Sequence, residues 1–505
     1  MRYLSLAGLV VMAGAAAAFA CGDGDSKPSN TPSAGDAGEA GAQPEAGGSG
    51  RAGASGKGGG GAGGKAGGAE AGEAGAIEAG AGGEPAAGGG GTGGGGTGGA
   101  VQGSLGVTLT GVPTGSTALV TITGPASFTK TISTTTTTSD LAAGSYTITA
   151  PPIRLPGTQV DSIYDAAVTG SPANVTAGAT STSTVSYARR PGSGMMWVTN
   201  FSTHNAFGFD ATTIAKTGTQ SDSPTISLNV LGVGPNAPPT YALAFSATGD
   251  MWLGSCKNAT TGQVVAKFAP GKISATGSPT PSVTISLPTV DTSYDCASAL
   301  AFDAAGNLWV GMYHGHILKY NASDLAVTGS PAPAINLTST TYFNQIFDLA
   351  FDADGNLFTA TYQSPIVARL STSQLSTSAA NIVPAVVFQF GNTSGLGGVA
   401  IAKDGSLWVS DYNNDAIYKL KASALGTSAS PPVPDLTVTG VNAPELMAFD
   451  NLGNLWTASL DDNVVVALAA ASLTTGGAKT PLTVLTTGGA SLISPLALRF
   501  NPAAQ

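Results

Sequence analysis

Leu300-Ala301-Phe302, a three-residue turn, and Gly306-Asn307-Leu308-Trp309 form the stretch that decides the fold, because its pattern returns through the C-terminal part of the chain. The other complete copies are Leu243-Ala244-Phe245 with Gly249-Asp250-Met251-Trp252, Leu349-Ala350-Phe351 with Gly355-Asn356-Leu357-Phe358, Val399-Ala400-Ile401 with Gly405-Ser406-Leu407-Trp408, and Met447-Ala448-Phe449 with Gly453-Asn454-Leu455-Trp456. Each reads as an apolar strand, a tight glycine turn and a second strand. The turn glycines fall 57, 49, 50 and 48 residues apart, the period of a four-stranded propeller blade. A sixth copy is split: Gly194-Met195-Met196-Trp197 opens the region without its first strand, and Leu496-Ala497-Leu498-Arg499-Phe500 ends it without its second. The expectation is an all-β fold, a six-bladed β-propeller over 194–505 whose ring closes between the chain ends.

All five tryptophans occupy one position of the repeat, and Phe358 takes the sixth. The residues flanking that position are apolar or β-branched in every copy, and two positions beyond it the residue is always small. A large ring beside a small residue on one face suits sheets packed on each other with interlocking heights, so both faces are expected to be buried between blades. A third strand carries Lys267, Lys319, Arg369 and Lys419 in one register, read as solvated tips. The Thr/Ser/Gly/Pro stretches that follow, such as Thr276 to Pro279 and Thr328 to Pro331, read as surface connections.

Residues 1–20 carry a secretion signal: Arg2, an apolar run from Leu4, and Ala18-Phe19-Ala20 before Cys21. Cys21-Gly22-Asp23 resembles a bacterial lipoprotein signal, which implies acylation of Cys21; Phe19 departs from that pattern, and an ordinary signal-peptidase cut would fall at the same bond. Residues 21–102 read as a disordered Gly/Ala-rich linker. From 31 to 100 they hold 31 of the 72 glycines, with Ile77 the only apolar residue larger than Ala apart from prolines, too little to offset chain entropy. Over 103–190, alternation in Leu105 to Thr110, Ala118 to Thr123, Ser145 to Thr149 and Ser181 to Tyr187 predicts a small β-sandwich. Leu141 to Ala150 resembles the late strand of transthyretin-like domains of bacterial surface proteins, which implies a spacer or adhesion module. Arg189-Arg190-Pro191-Gly192 reads as a hinge.

In propellers of this strand order, the loop after each second strand and the loop entering each first strand share a face around the central opening. His204, His314 and His316 map to it, with Asp348, Glu445, Tyr294, Asp295, Asp411, Asp461 and Asp462. Imidazole and carboxylate there suit a divalent ion such as calcium, with Glu445 and Asp348 as metal ligands, or acid–base work; wet loops explain the same polarity. Phe201, Tyr313, Tyr362 and Tyr412, each four residues past the tryptophan position, either line a ligand site or pack at the rim. Cys256 and Cys296 fall on this face in adjacent blades, and in an exported chain a disulfide between them is expected. Asp352 to Asn356 looks like a calcium loop, but its counterparts are ordinary turns.

Asp404-Gly405-Ser406-Leu407-Trp408-Val409, followed by Ala416-Ile417-Tyr418-Lys419-Leu420, resembles the repeat of NHL and streptogramin-lyase-like propellers, a group related in fold to gluconolactonases. The resemblance spans about 194–505 and implies the fold. The glutamate that streptogramin lyase repeats often carry three residues past the tryptophan is absent, and only Glu445, after Pro444, imitates the metal-binding glutamate of the gluconolactonases. No catalytic residue carries over.

A chain with 10% charged residues and a net charge of −10 argues against nucleic acid as a partner. The reading is an exported, lipid-anchored, monomeric surface protein that touches the membrane only through Cys21, its propeller binding an envelope or extracellular glycan, peptide or protein. The alternative is a metal-dependent lactonase-like hydrolase or a streptogramin-lyase-like lyase.

Overall fold

The computed structural model describes residues 101–201, 203–230, 240–257, 262–290, 295–391, 393, 395–487 and 492–503. The secretion signal, Cys21, the Gly/Ala-rich linker and Tyr294 lie outside them.

Among the described residues, the repeat region forms six sheets of four or five strands. Within each, strands run antiparallel from the ring axis outward, as in Ala297–Phe302, Leu308–Met312, His316–Tyr320 and Ile335–Thr338. The split copy closes the ring. Pro495–Asn501 at the chain end pairs with Met195–Asn200, which continues through Asn205–Asp210 to Ile226–Asn229. We number this sheet blade 1 and the rest in chain order. Innermost strands neighbour one another all the way round, blade 6 meeting blade 1. The turn between the first two strands is tight because Gly249, Gly306, Gly355, Gly405 and Gly453 adopt φ of 75–80°, a left-handed conformation glycine takes without strain.

Between blades, each tryptophan meets the phenylalanine of the next blade's innermost strand. The pairs Trp197–Phe245, Trp252–Phe302, Trp309–Phe351, Trp408–Phe449 and Trp456–Phe500 have ring centroids 5.9–6.4 Å apart, mostly edge to face. Phe358 packs in one cluster with Ile401, so the sixth boundary keeps the contact without the second ring. Such a pair adds about 0.5–1.5 kcal/mol beyond its buried area. Second strands are buried along their whole length, on both faces.

The basic register is not a row of solvated tips. Lys319 and Lys419 lie over Trp309 and Trp408 at 5.4 and 5.6 Å, and Arg369 over Phe358 at 6.0 Å. Each also faces the acid of its own blade's turn, Lys419 reaching Asp404 at 3.0 Å. Asp303 and Asp450 accept the indole N–H of Trp309 and Trp456, both at 3.0 Å. Asp352, in the calcium-like stretch, is used by the amides of Asp354 and Asn356 and the Asn356 side chain, an ordinary Asx turn.

The Thr/Ser/Gly/Pro connections also do more than cross the surface. Gly277, Gly329, Ala379 and Ala429 each bridge in parallel to the outer strand of the preceding blade, at Leu228, Ile285, Leu337 and Phe388. Short strands Gly477–Ala478 and Gly218–Gln220 do the same for blades 5 and 6. A hydroxyl on Thr276, Thr328, Ser378 or Ser428 accepts one more amide from that strand at 3.0–3.1 Å. Every outer edge is thereby covered at one end, which blunts the unpaired strand edge that otherwise invites aggregation.

Residues 103–189 fold as two sheets around a core of Leu105, Val107, Val120, Ile122, Tyr146, Ile148, Val185 and Tyr187. This sandwich seats on the glycine-turn face of the propeller. Arg190 grips the Asp165 carboxylate through Nε and Nη2 at 3.0 and 2.6 Å and donates to the Ala247 carbonyl in the blade 2 turn. Asn451, in the blade 6 turn, donates to Asp161 at 2.7 Å and to the Gln159 carbonyl at 2.8 Å. Burial opposes ionisation of Asp161, but Arg154 and the Gly157 amide hold its carboxyl below the usual range. The expected hinge is therefore a fixed joint, with Arg190 9% exposed. Limited trypsinolysis of the native protein should spare the bond after Arg189, whereas Arg190→Ala should open the joint to cleavage there and cost about 1–2 kcal/mol in denaturant melts.

Candidate functional site

Because the sandwich sits on the turn face, the other face carries the loops that follow the second strands. Six residues, each four past the tryptophan position, directly follow those strands: Phe201, Cys256, Tyr313, Tyr362, Tyr412 and Leu460. They converge in one cluster with Cys296, Phe347, Ala443 and Leu496. Rings link round it in a chain, Tyr313 to Phe347 at 6.0 Å, Phe347 to Tyr362 stacked at 5.4 Å, and Tyr362 to Tyr412 at 6.1 Å. Phe201 and Tyr412 are buried, while Tyr313 and Tyr362 stay half-buried. The result is a collar of rings around the ring axis, with the Tyr362 hydroxyl on Asn413 and that of Tyr412 on Asp461.

The Cys256–Cys296 disulfide forms part of the collar and joins blades 2 and 3. Closing a loop of this size stabilises the chain by about 4 kcal/mol through the entropy of the unfolded state.

Glu445 occupies in blade 6 the register that Phe347 and Leu496 hold in blades 4 and 1, so a carboxyl replaces an apolar collar residue. It is 2% exposed and its Oε2 has no hydrogen-bond partner. Gly397, in the same register of blade 5, makes the room, since a Cβ there would lie 3.0 Å from that oxygen. Burial, reinforced by the charge of Asp461, pushes the carboxyl up to about 8, so Glu445 is largely protonated at neutral pH.

Asp348, one residue further along in blade 4, is spent otherwise. Arg499 of blade 1 reaches across to it at 2.7 Å, and the amides of Leu349 and Val399 donate at 2.9 and 3.1 Å. Burial raises the pKa of this carboxyl, and the guanidinium and two amides oppose that rise. The bond ties opposite sides of the ring and leaves Asp348 engaged rather than open to a ligand. Arg499 stands where all five other blades have alanine, a signal visible in Leu498-Arg499-Phe500.

The histidines separate. His314 packs edge-on against Tyr313 at 5.2 Å, its Nδ1 3.5 Å from buried Asp295. His316 begins the third strand of blade 3 and bonds Asn336 on the outer strand at 3.0 Å, away from the collar. His204 lies in the blade 1 loop with φ of 55°, and burial lowers its pKa, leaving it neutral. Asp411 accepts from Asn414, Tyr418 and the Gly395 amide. Among the described residues no three His, Cys, Asp or Glu side chains group as a metal centre. The structure thus brings Tyr313, Tyr412, His314 and Glu445 to the collar, adds Phe347 and Leu496 that sequence reasoning did not single out, and takes His316 and Asp348 elsewhere.

No protein-family model matches the chain, and no curated protein matches it. Among solved structures it is similar to a protein of unknown function from Bacteroides caccae, at 11% identity and a TM-score of 0.40 over 60% of this chain and 99% of that one. It is also similar to a catalytically inactive virginiamycin B lyase from Staphylococcus aureus solved with quinupristin, at 12% identity and a TM-score of 0.36 over 63% and 84% of the two chains. A further streptogramin B lyase structure gives 12% and 0.36 over 55% and 77%. The likeness is one of fold and makes no statement about activity.

Because the folded-state pKa of Glu445 is raised, the folded protein binds more protons than the unfolded chain between about pH 4.5 and 8. Stability from this group is therefore full below pH 4.5 and lost as pH rises towards 8. Relative to Glu445→Gln, the native protein should lose on the order of 3–5 kcal/mol between pH 4.5 and 8.5, read from urea melts at each pH. Parallel pH curves for the two proteins would show that Glu445 is ionised and paired.

Proposed function

We propose that the chain is an exported, lipid-anchored surface protein whose propeller binds an extracellular or envelope ligand through the collar face. The observation that carries this reading is the seating of the sandwich on the glycine-turn face, which leaves the half-buried rings of Tyr313 and Tyr362 on the face opposite the sandwich. Rings that combine an apolar face with a hydroxyl are suited to a glycan or peptide. The disulfide fits an oxidising compartment, and Cys21 behind an export signal supplies the attachment. The lactonase or lyase alternative asks Glu445, Asp348 and a histidine to be available together. Asp348 holds Arg499, and His316 holds Asn336, which favours the binding module.

Two experiments test the reading. Glycan- and peptide-array binding by the mature protein should fall at least tenfold in the Tyr313→Ala/Tyr362→Ala double variant, with the melting temperature nearly unchanged; undiminished binding would move the site off the collar. Metabolic labelling with radioactive palmitate should mark the wild-type chain and not Cys21→Ser, which should leave the membrane fraction for the soluble one. A chain that is unlabelled and already soluble would overturn the anchor.

A further inference from the structure

We infer that the collar face is a site for an organic cation, in the form of a lysine or arginine side chain on a peptide. The inference rests on the reading of that face as the binding face and gives its ligand a charge.

Three independent observations point there. The first is a spare acceptor. Glu445 is 2% exposed and its Oε2 lacks a donor, as does Oδ2 of the fully buried Asp295 next to Cys296. Buried carboxyl oxygens are seldom left so, and an ammonium or guanidinium supplies donors only, with no acceptor to satisfy in return. Glu445, protonated at neutral pH before binding, would ionise as the cation binds and release its proton to solvent.

The second is the segregation of charge across the propeller. The collar-side loops and inner strands hold Asp295, Asp411, Asp415, Asp461 and Asp462, whereas among the described residues their lysines and arginines are Lys257 and Arg499, the latter bound to Asp348. Lys319, Arg369 and Lys419 lie near the opposite face, each beside the acid of its own turn. The field at the collar therefore favours a positive ligand.

The third is the chemistry between the carboxylates. Of the collar rings Tyr313 and Tyr362 are half-buried, with Phe347 packed between them, and aromatic faces attract large, weakly hydrated cations. A compact divalent ion instead demands several oxygens at one point, and the acids here are dispersed around the rings. Exposed Asp461 with half-buried Tyr362 forms the outer end of the site, and Glu445, whose carboxyl feels the charge of Asp461, the inner end.

The test is calorimetric titration of the mature protein with triarginine, triglutamate and a panel of neutral oligosaccharides at low and physiological salt. Triarginine should bind and weaken with salt, and binding should drop about tenfold in both Glu445→Gln and Tyr362→Ala. Asp222→Asn, on a salt-bridged surface acid away from the collar, should bind as wild type. Absence of triarginine binding overturns the inference, and so does equal loss in Asp222→Asn, which would mean attraction to net charge alone. Neutral oligosaccharides that bind in a Tyr362-dependent way while triarginine does not would also overturn it, yet would leave the collar as the binding face.

Discussion

The contact of each tryptophan with the phenylalanine of the following blade is the constraint on which the propeller depends. A four-stranded sheet of these sequences has two apolar faces and no way to shield both alone, so a blade is stable only between neighbours. Trp197 through Trp456 supply the bulky side of five boundaries and Phe245 through Phe500 the matching side, Phe358 and Ile401 doing so at the sixth, and small residues two positions beyond the aromatic leave the space. Closure follows from the same rule. Trp456 needs Phe500, and Phe500 lies on the C-terminal strand that pairs with Met195–Asn200, so the ring is complete only when the chain ends meet.

Ring geometry also explains the repeat's secondary features. In blades 3 to 5 the lysine or arginine of the third strand covers the ring of the second beside the aspartate of its own turn, so these blade edges are each finished by one acid and one base of their own. In blade 1 the partner position is Gly208, and the joint segment takes over, with the Gly192 carbonyl accepting the Trp197 indole N–H at 3.3 Å. Blade 6 departs too, with Ala467 opposite Trp456, and its turn residue Asn451 bonds the sandwich instead.

The propeller was legible because its stabilising contacts are periodic: one ring type, one turn glycine and one register per blade. Cross-blade clasps were not, since Thr276-Gly277 and Ser378-Ala379 form them with backbone groups that any small polar segment offers. In the sandwich the apolar strands were visible, whereas Thr129–Ile132 and Thr136–Leu141 are runs of threonine whose alternation carries almost no hydropathy contrast. Lys319 and its counterparts were misread because sequence gives their spacing but not the ring beneath them.

For the site, position in the repeat carried more information than residue type. Counting four past each tryptophan finds the collar whether the residue is Phe201, Cys256, Tyr362 or Leu460. Choosing residues for their chemistry alone gathers His316 and Asp348, which the fold uses elsewhere. Glu445 belongs to both sets, since it is a reactive group in the register of Phe347 and Leu496. A buried carboxyl without a donor costs stability where an apolar residue would supply it. Gly397 is shaped to admit that carboxyl, so two blades together accommodate a group that weakens their own packing. An arrangement of that kind is explained by a partner from outside the chain rather than by the needs of the fold.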